Sequence, residues 1–339
     1  MTVRLAWVDV AKGTAITLVV IGHVWRGLYL KGLIDADRFH GLDSVIYAFH
    51  MPLFFMISGF FFFRWVGDVA LHTRILDVTK RLLVPLIAWT YIFLAVRWLF
   101  SDFTNSRPDI TSLFVLPIPG ILHFWFLWAL WSMQIGFLLL AALLPGRFHD
   151  KGLALAALLL ASLAWAYASD LPFQAYFLPT YTHAIFFAGG AVFYRMIERV
   201  RISWPGMAGA GVIFVGLGVL TQTPGSVPVG AVLLALGMSV SFLVMVKGVS
   251  ARLPQRLDLM RWAGGFSFAI YMMHTIFSAG AREALLLAGI SSMAAHLIIG
   301  VIAGIACPIA ISLIATRYRL GASLGLRAPM PRSTVPAGQ

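Results

Sequence analysis

The chain has 339 residues, of which 60% are hydrophobic and 11% charged, with a net charge of +12. Soluble domains carry about 25% charged residues, so composition excludes a soluble enzyme and points to a chain that lives in a bilayer, as does the mean hydropathy of +0.89. The single cysteine, Cys307, excludes an internal disulfide framework and a thiolate metal site.

Apolar runs long enough to cross a bilayer, roughly 17 residues or more, recur along the whole chain. Ten spans are predicted, at 10–29, 44–63, 82–100, 122–144, 152–168, 181–197, 206–221, 227–246, 264–281 and 292–315. Lipid offers no partner to a bare backbone, so these are helices and the fold class is all-α, a polytopic membrane bundle of about ten transmembrane helices. An even number puts both termini on one side. With the amino terminus inside, nineteen of the twenty-five lysines and arginines fall on the cytoplasmic side, which is the expected bias and makes both termini cytoplasmic. The basic excess is then topology plus contact with anionic lipids, and nucleic acid need not be invoked. The expected location is the cell (plasma or inner) membrane, with many passes.

Residues 1–25 read as a retained first span, because Asp9 and Lys12 interrupt any leader-like apolar core. Residues 1–316 form one membrane domain. Residues 317–339, rich in Pro, Gly and Arg, are expected to be a disordered cytoplasmic tail.

The first span holds KGTAITLVVIGH, residues 12 to 23, with a lysine and a histidine at its two ends. Eleven residues turn a helix only about 20° past three full turns, so Lys12 and His23 share one face, about 16 Å apart. Asp9 falls near the same stripe, within i, i+3 reach of Lys12. Alone, Lys12 reads as a lysine that snorkels to the headgroups. An aligned Asp9–Lys12–His23 stripe instead reads as facing the bundle interior.

Further along, His50, His123, His183, His274 and His296 join His23 towards the external side. For His123, His183 and His296 the favoured reading is a hydrogen bond to a carbonyl or water. For His23, His50 and His274 function is favoured. No pair has the i, i+4 spacing of a helical zinc site, so no metal is expected. Trp125, Trp128 and Trp131 either pack helices or line a cavity, packing being favoured. Gly59, Gly189 and Gly190 suit close helix contacts. Ser58 and Tyr271 read as packing hydrogen bonds.

The blocks RLAWVDVAKGTAITLVVIGH, DSVIYAFHMPLFFMISGF, KRLLVPLIAW, HFWFLWAL and IYMMH, in that order, resemble the large integral-membrane acyltransferase family three. That family includes fucose O-acetylase-like enzymes and O-acetyltransferases of cell-surface glycans. The resemblance implies about ten membrane helices and transfer of an acyl group, commonly acetyl from cytosolic acetyl-CoA, to a carbohydrate hydroxyl. It implies no permanently bound cofactor, acyl-CoA being the donor substrate, and a carbohydrate or glycolipid acceptor of the cell envelope. The family's motif of a basic residue, ten residues and an essential histidine falls on Lys12 and His23, where many members have arginine in place of the lysine. Its two arginines three apart before the third helix are not met strictly.

In their place stand Arg74, Lys80 and Arg81, the candidates for binding the phosphates of acyl-CoA. Asp9 would hold Lys12, and His50 and His274 would lie on the acceptor side. His23 would act either as general base on the acceptor hydroxyl or as acyl carrier. The competing reading is a glycan or lipid-linked-sugar transporter with histidine proton relays. Against it stand the absence of a visible broken-helix pair or inverted repeat and of charge at the span centres.

Overall fold

The structure is a computed structural model, and it describes residues 5–65, 70–101, 118–144, 151–222, 228–319, 321 and 324–326. Among these residues every regular element is helical. The α-helices are α1 (Ala6–Leu30), α2 (Ala36–Trp65), α3 (Leu71–Leu99), α4 (Trp125–Leu143), α5 (Lys151–Ala166), α6 (Gln174–Ile197), α7 (Trp204–Leu220), α8 (Pro228–Arg252), α9 (Asp258–Gly265), α10 (Ser267–Leu287) and α11 (Met293–Arg317). A 3-10 turn, Leu122–Phe124, leads into α4.

Each of the ten expected spans meets one of these helices. Among the described residues six are long and apolar enough to cross a membrane: α1, α3, α11, and the stretches Ala36–Phe62, Leu122–Leu143 and Val229–Arg252. Helices α5 and α7 are apolar but shorter.

Two differences from the sequence reading have clear causes. Helix α9 lies outside every expected span but for its last two residues, because DLMRWAGG is strongly two-faced and too short and polar to register as a span. Helix α3 begins at Leu71, eleven residues before the expected 82, so Arg74, Lys80 and Arg81 lie on a helix and not in a loop entering one. Val78 and Leu82 recur at helical spacing and are buried, and that face continues the helix past the point where mean hydropathy drops.

Helix α1 is the centre of the bundle and contacts α2, α8, α9, α10 and α11. The hydroxyls of Thr14 and Thr17 donate to the carbonyls of Val10 (3.0 Å) and Gly13 (2.8 Å), so they bring no unpaired polar group into the core. Glycines set the closest crossings. A methyl on Gly13 would strike the Met260 carbonyl, and one on Gly264 the Asp9 carbonyl, so α9 lies backbone-to-backbone on α1. Gly59 and Gly190 do the same for α2 and α6, against the Phe187 and Met56 carbonyls. Gly189 differs: its nearest neighbour is Leu236 Cδ2 at 4.0 Å, so it has no part in that crossing. Gly190→Ala should therefore cost about 1–3 kcal/mol and lower the melting midpoint in detergent, whereas Gly189→Ala should leave it unchanged.

After α11 the chain folds back on the bundle. Trp89 Nε1 donates to the Leu324 carbonyl (3.0 Å), and Leu326 is 4% exposed. Of the tail expected from residue 317, residues 317–319, 321 and 324–326 are described, and the rest of it lies outside the described residues.

Candidate active site

Three histidines from three separate parts of the chain meet at one point. His23 comes from the third turn before the end of α1, His274 from the buried face of α10, and His123 from the 3-10 turn before α4. The His23 ring lies 4.9 Å from that of His274 and 6.1 Å from that of His123, and the latter two are 5.5 Å apart, centroid to centroid. His274 is fully buried, while His23 and His123 are half-buried, so the cluster has a closed back and a reachable front.

The backbone fixes one of these rings. His274 Nδ1 faces the carbonyls of Ile270 (2.9 Å) and Tyr271 (3.0 Å). A carbonyl only accepts, so Nδ1 carries the hydrogen and the neutral ring presents a bare lone pair at Nε2. That Nε2 is buried without a hydrogen-bond partner among the described residues, and so is His123 Nε2. Native structures leave few such atoms unsatisfied, and those they do leave call for an explanation. His123 is held in place by the Tyr271 hydroxyl, which donates to its carbonyl, and by the fully buried Phe124 beside it. Tyr271 is thus a packing hydrogen bond, as expected, but one that anchors the cluster. Ser58 Oγ donates to the Phe54 carbonyl at 2.8 Å, within its own helix.

The stripe on α1 is realised at both ends. Lys12 Nζ lies 3.9 Å from Asp9 Oδ1, and Asp9 is 6% exposed under α9. The lysine ammonium also stands 5.9 Å over the Phe61 ring. Helix rise puts it about 16 Å from His23 along the axis.

His50 is not in the cluster. Its Nδ1 donates to the Ile46 carbonyl (2.7 Å), and its ring stacks edge-on against Tyr47 at 4.5 Å. Tyr47 itself lies 6.3 Å from His23, so it stands between the two histidines. Arg26, one turn beyond His23, lies 3.2 Å above the Tyr47 ring and grips Asp43 with two bonds of 2.7 and 2.9 Å.

The three basic residues of α3 do not share one face. Arg74 and Arg81, seven residues apart, share a face, and Lys80 points about 120° away. Arg74 is buried, Arg81 Nη2 donates to Gln134 Oε1 at 2.9 Å, and Lys80 and Arg81 are both exposed. His183 Nδ1 bonds the Pro179 carbonyl and His296 Nε2 the Ile290 carbonyl, the carbonyl-bonded role expected of both. Among the tryptophans, Trp128 and Trp131 donate to the Tyr176 carbonyl and to Thr79 Oγ1, and so pack helices, whereas Trp125 lines a cavity. Among the described residues, no group of three His, Cys, Asp or Glu side chains is arranged to hold a metal ion.

Sequence reasoning favoured a carbonyl- or water-bonded role for His123 and passed over Tyr47, Asp43 and Arg26. Signals for His123, Tyr47 and Asp43 were present. His123 heads HFWFLWAL, and Asp43 and Tyr47 sit in the same block as His50. Arg26 carried no signal beyond its place one turn after His23.

A family model described as an acyltransferase domain matches residues 5–316. The nodulation protein NolL of Mesorhizobium japonicum is 29% identical over 180 residues, 53% of this chain and 47% of the relative. NolL of Sinorhizobium fredii is 29% identical over 197 residues, 56% of this chain and 49% of the relative. Those alignments thus take in about half the length of the curated relatives. No solved structure matches the chain.

Proposed function

The chain belongs to the acyltransferase-domain family, and from that premise we propose that it moves an acetyl group from cytosolic acetyl-CoA to a hydroxyl of a carbohydrate or cell-envelope glycan. The contact of His23 with His274, whose Nε2 has no partner among the described residues, carries this reading. The ten longer helices are taken as ten spans, with both termini in the cytoplasm and the protein in the plasma or inner membrane. Lys12 then stands at the cytoplasmic mouth and the histidine cluster nearer the outer face.

In this reading His23 acts as neutral imidazole. It takes the proton of the acceptor hydroxyl while that oxygen attacks the thioester carbon. The C–O bond forms, the C–S bond breaks, and the coenzyme A thiolate leaves and takes up the proton. The open lone pair of His274 Nε2 belongs to a ring 4.9 Å from that of His23, centroid to centroid, so a small turn of the His23 ring makes it the acceptor that sets the tautomer the step needs. In the two-step variant His23 accepts the acetyl first and passes it to the hydroxyl. Asp9 keeps Lys12 at the mouth, where its charge meets the anionic donor. Arg74 and Arg81, on one face of α3, are the better phosphate candidates, and Lys80, turned away, the weaker.

The test supplies acetyl-CoA labelled on its acetyl carbon to the full chain in vesicles containing an envelope glycan extract. Label released from the glycan fraction by mild alkali, with matching free CoA, is the expected result. If neither acetyl-CoA nor succinyl-CoA is consumed, the reading is wrong.

A further inference from the structure

We propose that residues 324–326, which follow α11, form an autoinhibitory plug at the cytoplasmic base of the histidine cluster, and that the pantetheine arm of acyl-CoA displaces it to reach His23. The inference rests on the acyltransferase reading above and adds to it a control on how the donor enters.

The segment lies among α3, α10 and α11. Trp89 Nε1 of α3 donates to the Leu324 carbonyl at 3.0 Å. Gly325 sits so close to Phe268 of α10 that a methyl there would strike the ring. The Thr316 hydroxyl of α11 stands 3.3 Å from the Leu326 carbonyl. The Leu326 side chain joins the same buried apolar core as Leu86, Trp89 and Tyr271.

Both walls lead from this segment to the site. One turn beyond Trp89 on α3, about 6 Å by helix rise, Phe93 sets its ring 5.4 Å from that of His123. Three residues beyond Phe268 on α10, the Tyr271 hydroxyl donates to the His123 carbonyl. In the other direction, Arg81 lies about 12 Å back from Trp89 along α3. The segment thus occupies a depth between the candidate phosphate ligands and the imidazoles. With the donor's phosphates at Arg74 and Arg81, an arm that runs along α3 to His123 meets it.

The hold is one that a ligand can break. The Thr316 hydroxyl already donates to the Ser312 carbonyl at 2.7 Å, and its 3.3 Å approach to Leu326 lies beyond the usual range of an O–H···O bond. The Leu326 N–H is spent within the tail itself, on the Gly321 carbonyl at 2.9 Å. Among the described residues, the main ties to the bundle are then the Trp89 bond and the burial of Leu326. If plug and arm exclude each other, the donor's apparent dissociation constant is its intrinsic one divided by the fraction of chains with the plug out.

The test follows acetyl-CoA turnover, with the glycan extract present, and binding of CoA alone, both in lipid nanodiscs. Two variants unseat the plug. One is a chain that ends at Arg319. The other is Gly325→Ala, whose methyl meets Phe268 and whose backbone is strained at a φ of +72°; it serves alone if the shortened chain does not fold. Each is expected to lower the KM for acetyl-CoA and the Kd for CoA about three- to tenfold, as for a plug that is out in roughly a tenth to a third of chains. The kcat should be unchanged. In the wild type, saturating CoA should speed hydrogen exchange in the peptide that holds Leu326.

A KM and Kd that stay or rise in the folded variants would overturn the proposal and make the segment part of the channel wall. Exchange that CoA slows or leaves alone would overturn it too. Turnover by the wild type with a KM that neither variant moves removes this inference alone. Consumption of no acyl-CoA by any of the three chains removes the acyltransferase reading, and the plug with it.

Discussion

Replacing His23 by alanine or glutamine is expected to lower acyl transfer by about 10²- to 10⁴-fold, the usual worth of a positioned general base, and to leave the bundle intact. The ring is half-buried at the front of the cluster and, among the described residues, takes part in no hydrogen bond that fixes α1 to another helix. The packing of α1 resides instead in Val19, Val20 and Val24 and in the glycine contact with α9. Glutamine keeps most of the side-chain volume and can still hydrogen-bond, but it takes no proton at neutral pH. The loss should therefore appear in kcat with melting unchanged. A variant that keeps wild-type turnover would remove His23 from the chemistry.

The second large effect is expected at His274. His274→Gln can still donate from its amide to the Ile270 carbonyl, as Nδ1 does now at 2.9 Å, but presents no imidazole lone pair to His23. A fall in kcat of about 10- to 100-fold, the scale for groups that orient a working histidine, should come with an unchanged KM for acetyl-CoA. A purely structural role would lower melting and leave the turnover of the folded fraction unaltered. His274→Ala is the less informative variant, because it opens a cavity at a fully buried position.

Much of this arrangement was legible in the chain. Apolar run lengths located ten helices, because each run exceeds or approaches a bilayer's thickness and helix is the only conformation that satisfies its backbone there. The Lys12–His23 stripe followed from helical periodicity alone, and Asp9 does meet Lys12. What the chain could not yield was the relation between helices. His274 reads as an acceptor-side candidate, but only the packing of α10 on α1 puts its ring beside that of His23, and His123 reads as an interfacial residue until the Tyr271 hydroxyl draws its turn into the cluster. His50 is the converse case. Its block is distinctive, yet Tyr47 comes between it and His23, three residues earlier on the same helix. Helix α3 was cut short because its first turns are amphipathic, and that moved Arg74, Lys80 and Arg81 from a flexible loop to fixed faces of a helix. Gly189 and Gly190 are adjacent and chemically identical, and only the approach of Met56 separates them.

The claim on which the rest depends is that the acyl group leaves coenzyme A at His23. The most direct measurement is first-turnover release of free CoA from acetyl-CoA, by rapid quench, for wild type and His23→Gln at equal folded concentration. With the glycan acceptor present, the account predicts stoichiometric release by wild type and release slowed about 10²- to 10⁴-fold by the variant. Release at the wild-type rate from His23→Gln would contradict it.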